Sequence, residues 1–259
     1  MAKRKKLKNS NHTANKESLI ETLENLEQEN KQKRFVPATA LDKIKLSEKQ
    51  QELVEMLDKN DIVIVTGPAG TSKTFIDSYY AVRALRDHQF EKVIFTKPIH
   101  EAGERLGFLP GQVQEKIDPH YESFKISILK MIKASNFEKL LEKNTIEFRP
   151  LAYMRGATFD DTLMIIDEAQ NSDIRQIMLF VTRMGMNSKV IISGDIHQYD
   201  INKNHIGLPF FVEHIAKDID GVGIFNFSKD DIVRNPILIE ITDKYEKLKA
   251  HDMLPRNKY

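Results

Sequence analysis

Apolar residues in this chain recur in two rhythms, and the two alternate. Asp61–Thr66 reads D-I-V-I-V-T, a short β-branched run with no polar face, which predicts a strand buried on both sides. Lys92–Thr96, Thr145–Phe148, Thr162–Ile166, Lys189–Ser193 and Gly223–Phe227 are further strands by the same pattern. Between them the apolar spacing turns helical. Helices are expected from Ser47, as N-cap, through Leu57, and from about Lys73 to Arg86. Others are expected over Tyr121–Ala134, Phe137–Glu142, Asp173–Arg183, Leu208–Ile219 and Pro236–Lys249. Short hydrophobic strands alternating with helices predict an α/β fold, a mostly parallel sheet covered by helices on both faces.

The first 37 residues break this rhythm. Lys3, Arg4, Lys5, Lys6 and Lys8 form a basic cluster, read either as a solvated tail or as a contact to a phosphate backbone. Leu19, Ile20, Leu23 and Leu26 share one helical face among glutamates, which suggests a short amphipathic helix, and Lys31–Pro37 reads as a linker. The expected organisation is therefore a basic and polar tail over 1–37 and one α/β domain over 38–259.

Composition narrows the setting. With 259 residues and 41% hydrophobic content, the chain can bury one well-formed core. No apolar run approaches the ~18 residues of a membrane-spanning helix, and the basic N-terminus lacks the apolar stretch of a secretory signal. Cysteine is absent, which excludes disulfides and cysteine-held zinc. The expected compartment is the cytoplasm, that of the host if the chain is of phage origin. The net charge of +1 gives no bulk attraction for nucleic acid, so such binding would need a local basic surface.

Chemistry enters at the strand ends. Gly67-Pro68-Ala69-Gly70-Thr71-Ser72-Lys73-Thr74 follows the first strand and opens a helix, the context in which a glycine-rich loop wraps phosphate with backbone N–H groups. All eight residues are candidate nucleotide contacts. Lys73 would bridge the terminal phosphates, and the Thr74 hydroxyl would hold Mg2+. Ser72 stands where the pattern expects glycine. A positive φ there would strain serine by about 1 kcal/mol or more, whereas ordinary geometry would let it add a hydrogen bond.

Leu163–Ile166 leads into Asp167-Glu168-Ala169-Gln170. Asp167 would hold the water shell of the metal, and Glu168 would orient or deprotonate the attacking water. The strand Lys189–Ser193 ends likewise, in Gly194-Asp195-Ile196-His197-Gln198. There Gln198 could sense the terminal phosphate and Asp195 could hold the loop or the metal's waters. His197 reads as a loop histidine, with no second histidine at ligand spacing.

From about Leu46 to Tyr245 the chain resembles the PhoH-like ATPases. The blocks that carry the resemblance are the phosphate loop, Thr96-Lys97-Pro98, Glu101–Glu104, Leu106–Gly111, Gln114–Pro119, Pro150–Gly156, the two acidic blocks and Ile232–Pro236. The resemblance implies a RecA-like P-loop core, a three-layer αβα sandwich similar to the N-terminal motor domain of superfamily-one helicases. It further implies that Gln50 reads adenine and that Arg234 acts as a finger on the terminal phosphate. Thr96-Lys97-Pro98 would touch nucleic-acid backbone, with Lys97 where arginine is usual.

The function expected is Mg-dependent ATP binding and hydrolysis coupled to RNA or single-stranded DNA, with Glu168, Lys73, Gln198 and Arg234 as the catalytic set. One motor domain would have to find its second half by assembling with copies of itself, for instance as a hexameric ring. Two other readings stay open: a nucleotide-dependent switch or scaffold with little turnover, and a small-molecule phosphotransferase. An appended nuclease is not expected.

Overall fold

The apolar runs become six strands in one sheet, and every pairing among them is parallel. The computed structural model describes residues 40–98, 118–196 and 207–233, with 235, 237, 238, 240, 241, 244, 245 and 248. The basic cluster and amphipathic helix of the tail, the blocks within 99–117, and His197, Gln198 and Arg234 lie outside the described residues. The strands are β1 (Ile62–Thr66), β2 (Lys92–Thr96), β3 (Ile146–Phe148), β4 (Thr162–Ile166), β5 (Lys189–Gly194) and β6 (Val222–Asn226). Their order across the sheet is β3-β2-β4-β5-β1-β6.

The helices are α1 (Glu48–Lys59), α2 (Lys73–Arg86), α3 (Glu122–Leu129), α4 (Ala134–Glu142) and α5 (Ile174–Val181), then α6 (Leu208–Phe211). Several boundaries differ from the periodicity: α1 runs on to Lys59, α4 begins at Ala134 and α5 ends at Val181. The predicted Tyr121–Ala134 helix stops at Leu129, and α6 passes into a π-turn over Val212–Ala216. Helices α1 and α5 begin where the sequence places a cap. Ser47 and Asp173 each accept from the backbone N–H three residues on, and Gln50 and Gln176 return the bond. Each such cap stabilises its helix by about 1 kcal/mol.

Alternation along the strands divides the core between two faces. Ile64, Ile94, Met164, Ile166, Val190 and Ile192 pack with Ile177 and Phe180 of α5 and Leu208 and Phe211 of α6. Residues of the other parity, such as Val63, Phe95 and Ile165, are equally buried on the opposite face. Phe95, for example, lies 4.5 Å from Phe124 of α3 between ring centres. Burial on both faces is why the interiors of β1, β2, β4 and β5 are apolar, each buried side chain contributing about 1.5–3 kcal/mol, whereas β3 and β6 at the sheet edges are only partly buried. Helices above and below one parallel sheet make the expected three-layer α/β sandwich.

Candidate functional site

Strand order sets the geometry. The strand carrying the glycine-rich loop, β1, and the strand carrying the acids, β4, are separated by β5 alone. All three run the same way, so their C-terminal ends open on one edge, where ligands collect in such sheets.

The loop after β1 is held by its neighbours. The Gly67 N–H donates to the Gly194 carbonyl at 3.2 Å, and the Phe227 N–H donates to the Thr66 carbonyl at 2.8 Å. Gly67 takes φ +148°, and a β-carbon there would meet Phe227 Cβ at 2.6 Å, so only glycine fits. The Thr71 hydroxyl donates to the Pro68 carbonyl at 2.9 Å and is buried. Ser72 has φ 68° and ψ 23°, so of the two alternatives read from the sequence the left-handed one holds. Its hydroxyl makes no capping bond to compensate.

Lys73 curls back over this loop. Its ammonium donates to the carbonyls of Gly67 at 2.7 Å and Pro68 at 3.0 Å. Burial pushes its pKa down, against the pull of Asp195, Asp167, Glu168 and Asp77. The Thr74 hydroxyl donates to Asp167 Oδ2 at 2.8 Å. The loop and the acidic strand thus meet at the two side chains singled out as metal holders. A hydroxyl and a carboxylate are hard oxygen donors, and two of them suit Mg2+, which keeps several waters and phosphate oxygens in its shell. Among the described residues no group of three or more His, Cys, Asp or Glu could hold a metal by itself.

The acidic side is built as a relay. Glu168 takes φ 57°, a second left-handed non-glycine residue at the site. Its N–H donates to Asp167 Oδ1 at 3.0 Å. The Gln170 amide donates to Glu168 Oε2 at 2.6 Å, while its carbonyl accepts from the Asp195 N–H at 3.0 Å. One side chain therefore ties the end of β4 to the end of β5. Gly194 makes room for it, since a β-carbon there would sit 2.8 Å from Gln170 Oε1 and 2.6 Å from Leu208 Cδ2.

A cavity of about 280 Å³ opens between these parts. Ala69, Gly70, Ser72, Lys73 and Thr74 line it from the loop, and Asp167, Glu168, Gln170 and Asp195 from the strand ends. Gly67, Pro68 and Thr71, also expected as nucleotide contacts, do not line it. Gln50, the expected adenine reader, spends its side-chain carbonyl on the Ser47 N–H at 3.0 Å and does not line the cavity. The Val233 N–H donates to the Gly70 carbonyl at 3.0 Å.

Four participants were missed from the sequence. Gln170 was seen only as part of a motif, without a role. Ser123 and Ser127 of α3 form the cavity's far wall, and their i, i+4 spacing was the available signal. The fourth is Asp77, one turn beyond Lys73 and fully buried. Neither of its carboxyl oxygens reaches a donor in hydrogen-bond geometry, although the Ser193 hydroxyl stands beside it. Burial, then the neighbouring Asp167 charge, hold its pKa well above the usual carboxylate range; Ser193, Lys73 and Lys97 oppose this only in part.

Comparison with known proteins bears on the fold and the family. The large terminase of a thermophilic bacteriophage shares the fold, with a TM-score of 0.51 at 13% identity over 79% of this chain and 50% of its own. A PhoH-like protein of Bacillus subtilis is 41% identical over 198 residues, 76% of this chain and 62% of its own length. Protein PhoH of Escherichia coli K12 is 36% identical over 74% of this chain and 54% of its own. The chain thus spans between about half and two thirds of these curated relatives. The family model described as PhoH-like protein matches residues 43–246, from before α1 to beyond β6. That span takes in every element of the site, and the chain belongs to the PhoH-like protein family.

Proposed function

We propose that the chain binds ATP with Mg2+ on the Gly67–Thr74 loop and hydrolyses it, coupling turnover to RNA or single-stranded DNA. The observation that carries this is the 2.8 Å bond from Thr74 to Asp167, which joins two motifs 93 residues apart at one cavity. Lys73 exchanges its loop carbonyls for phosphate oxygens. Thr74 and Asp167 hold the cation, which when bound neutralises charge on the transferred phosphoryl group. Glu168, fixed by Gln170, orients the attacking water and takes its proton. Gln198 and Arg234 complete the set by resemblance, as does Gln50 toward adenine. Self-assembly, as a hexamer, supplies the second half of the motor.

A second reading has its own observation. Ser72 is strained at the loop's left-handed position, which would suit a switch that binds nucleotide and turns it over slowly. Steady-state ATP hydrolysis with Mg2+, with and without single-stranded RNA or DNA, separates the two. Turnover that is raised by nucleic acid and lost in Lys73→Ala supports the coupled ATPase. Tight ATP binding without turnover contradicts it and favours the switch.

A further inference from the structure

The oxygen that accepts from Thr74 has a second partner. Asp167 Oδ2 lies 3.3 Å from the ammonium of Lys97. Register explains the pairing: Thr96 of β2 is opposite Ile166 of β4, so the next residues, Lys97 and Asp167, leave adjacent strands side by side. The Asp167 N–H donates to the Thr96 carbonyl at 3.1 Å and keeps the two ends together. Lys97 is seated on its other sides as well. Its ammonium donates to the Ser123 hydroxyl at 2.8 Å and lies 5.1 Å from the centre of the Phe124 ring. The Asp167 side chain is only 2% exposed and that of Lys97 14%, so water does little to neutralise this carboxylate and Lys97 does it instead.

This creates a conflict at the seat of the cation. A dication held by Thr74 and Asp167 would need the oxygen that the ammonium already faces. Two cations a few ångströms apart repel strongly where screening is weak. An incoming nucleotide would resolve the conflict, because its terminal phosphates would bring another partner into the cavity that Ser123 and Asp167, the two residues the ammonium already contacts, both line. Lysine suits such an exchange, being a point charge on a flexible stem rather than a fixed fork of donors.

We propose that Lys97 is the exchangeable counter-ion of the metal seat. Without nucleotide it neutralises Asp167 and keeps free divalent cation out. When cation and nucleotide arrive together it moves to a phosphate oxygen, so the two ligands bind cooperatively. This rests on the reading of Thr74 and Asp167 as the cation's holders. The probe is Mn2+ alone, its free fraction read by electron paramagnetic resonance against full-length, nucleotide-free protein. Lys97→Met should bind Mn2+ about tenfold or more tightly than wild type, since a competing charge is gone, and Lys97→Arg should show no such gain. With a non-hydrolysable ATP analogue present, the advantage of Lys97→Met should vanish or reverse. A folded Lys97→Met with no tighter Mn2+ binding overturns the proposal, as does an equal gain in Lys97→Arg; Lys97→Gln serves if Lys97→Met fails to fold. Asp167→Asn, added to Lys97→Met, separates the two levels. If it leaves Mn2+ binding intact, the assignment of the cation's holders is what fails.

Discussion

The two halves of the site solve the same problem differently. The phosphate loop is continuous in sequence and, though anchored at Gly194 and Asp167, bonds its own side chains inward, with Lys73 bonded to Gly67 and Pro68 and Thr71 bonded to Pro68. The acidic half is assembled from distant segments, with Asp167 tied to Thr96 and Gln170 bridging to Asp195. The loop's internal bonds can be exchanged for ligand bonds, so it is built to change partners. The acidic half is braced by main-chain and amide bonds, so it is built to stay. The proposed hydrolysis needs both, a water-orienting group held still and cations free to rearrange.

The bracing should be the more fragile to substitution. Gly194→Ala forces a methyl group against Gln170 and Leu208. It should cost about 1–3 kcal/mol of stability, read by chemical denaturation, and should lower turnover more than nucleotide affinity. A wild-type midpoint and turnover would mean that the close approach is not needed.

Asp77 sharpens the contrast, because it lies beneath both halves. Its folded-state pKa is raised above the ordinary 3.8, so the stability linked to its proton is fully present near that pH and is lost as pH rises through the folded value. Asp77→Asn stays neutral throughout. Its stability relative to wild type should therefore improve from about pH 4 upward, while below that the difference is constant. Denaturation midpoints at several pH values check this, and a difference that ignores pH would contradict it.

The smallest effect belongs to the loop. Ser72→Gly relieves left-handed strain but adds freedom to the unfolded chain, for a net gain of up to about 1 kcal/mol. Turnover equal to or faster than wild type is expected. Slower turnover would mean that the serine hydroxyl takes part in the chemistry.

This contrast also explains what could be read from the sequence. Helix α2 and strands β2 and β4 lie where the pattern puts them, because each is fixed by its own apolar spacing and its flanking residues. The loop was legible because its chemistry is contiguous. The meeting of Lys97 with Asp167 depends on β2 lying beside β4 in one register, and nothing within either segment encodes that. The role of Gln170 depends in the same way on β5 lying beside β4. Asp77 was hidden because a lone acid on a helix usually faces solvent, and only packing reveals that this one does not. The Ser72 backbone stood as an explicit alternative, decided only by the angle it adopts.

The most direct test of hydrolysis at this site separates binding from turnover in Glu168→Gln. The substitution keeps an amide that Gln170 can still meet but removes the base. The account predicts ATP affinity near that of wild type, with turnover about 10²–10⁴-fold lower in steady-state assays with Mg2+. Wild-type turnover in Glu168→Gln would contradict it, and the base would have to be sought elsewhere in the chain.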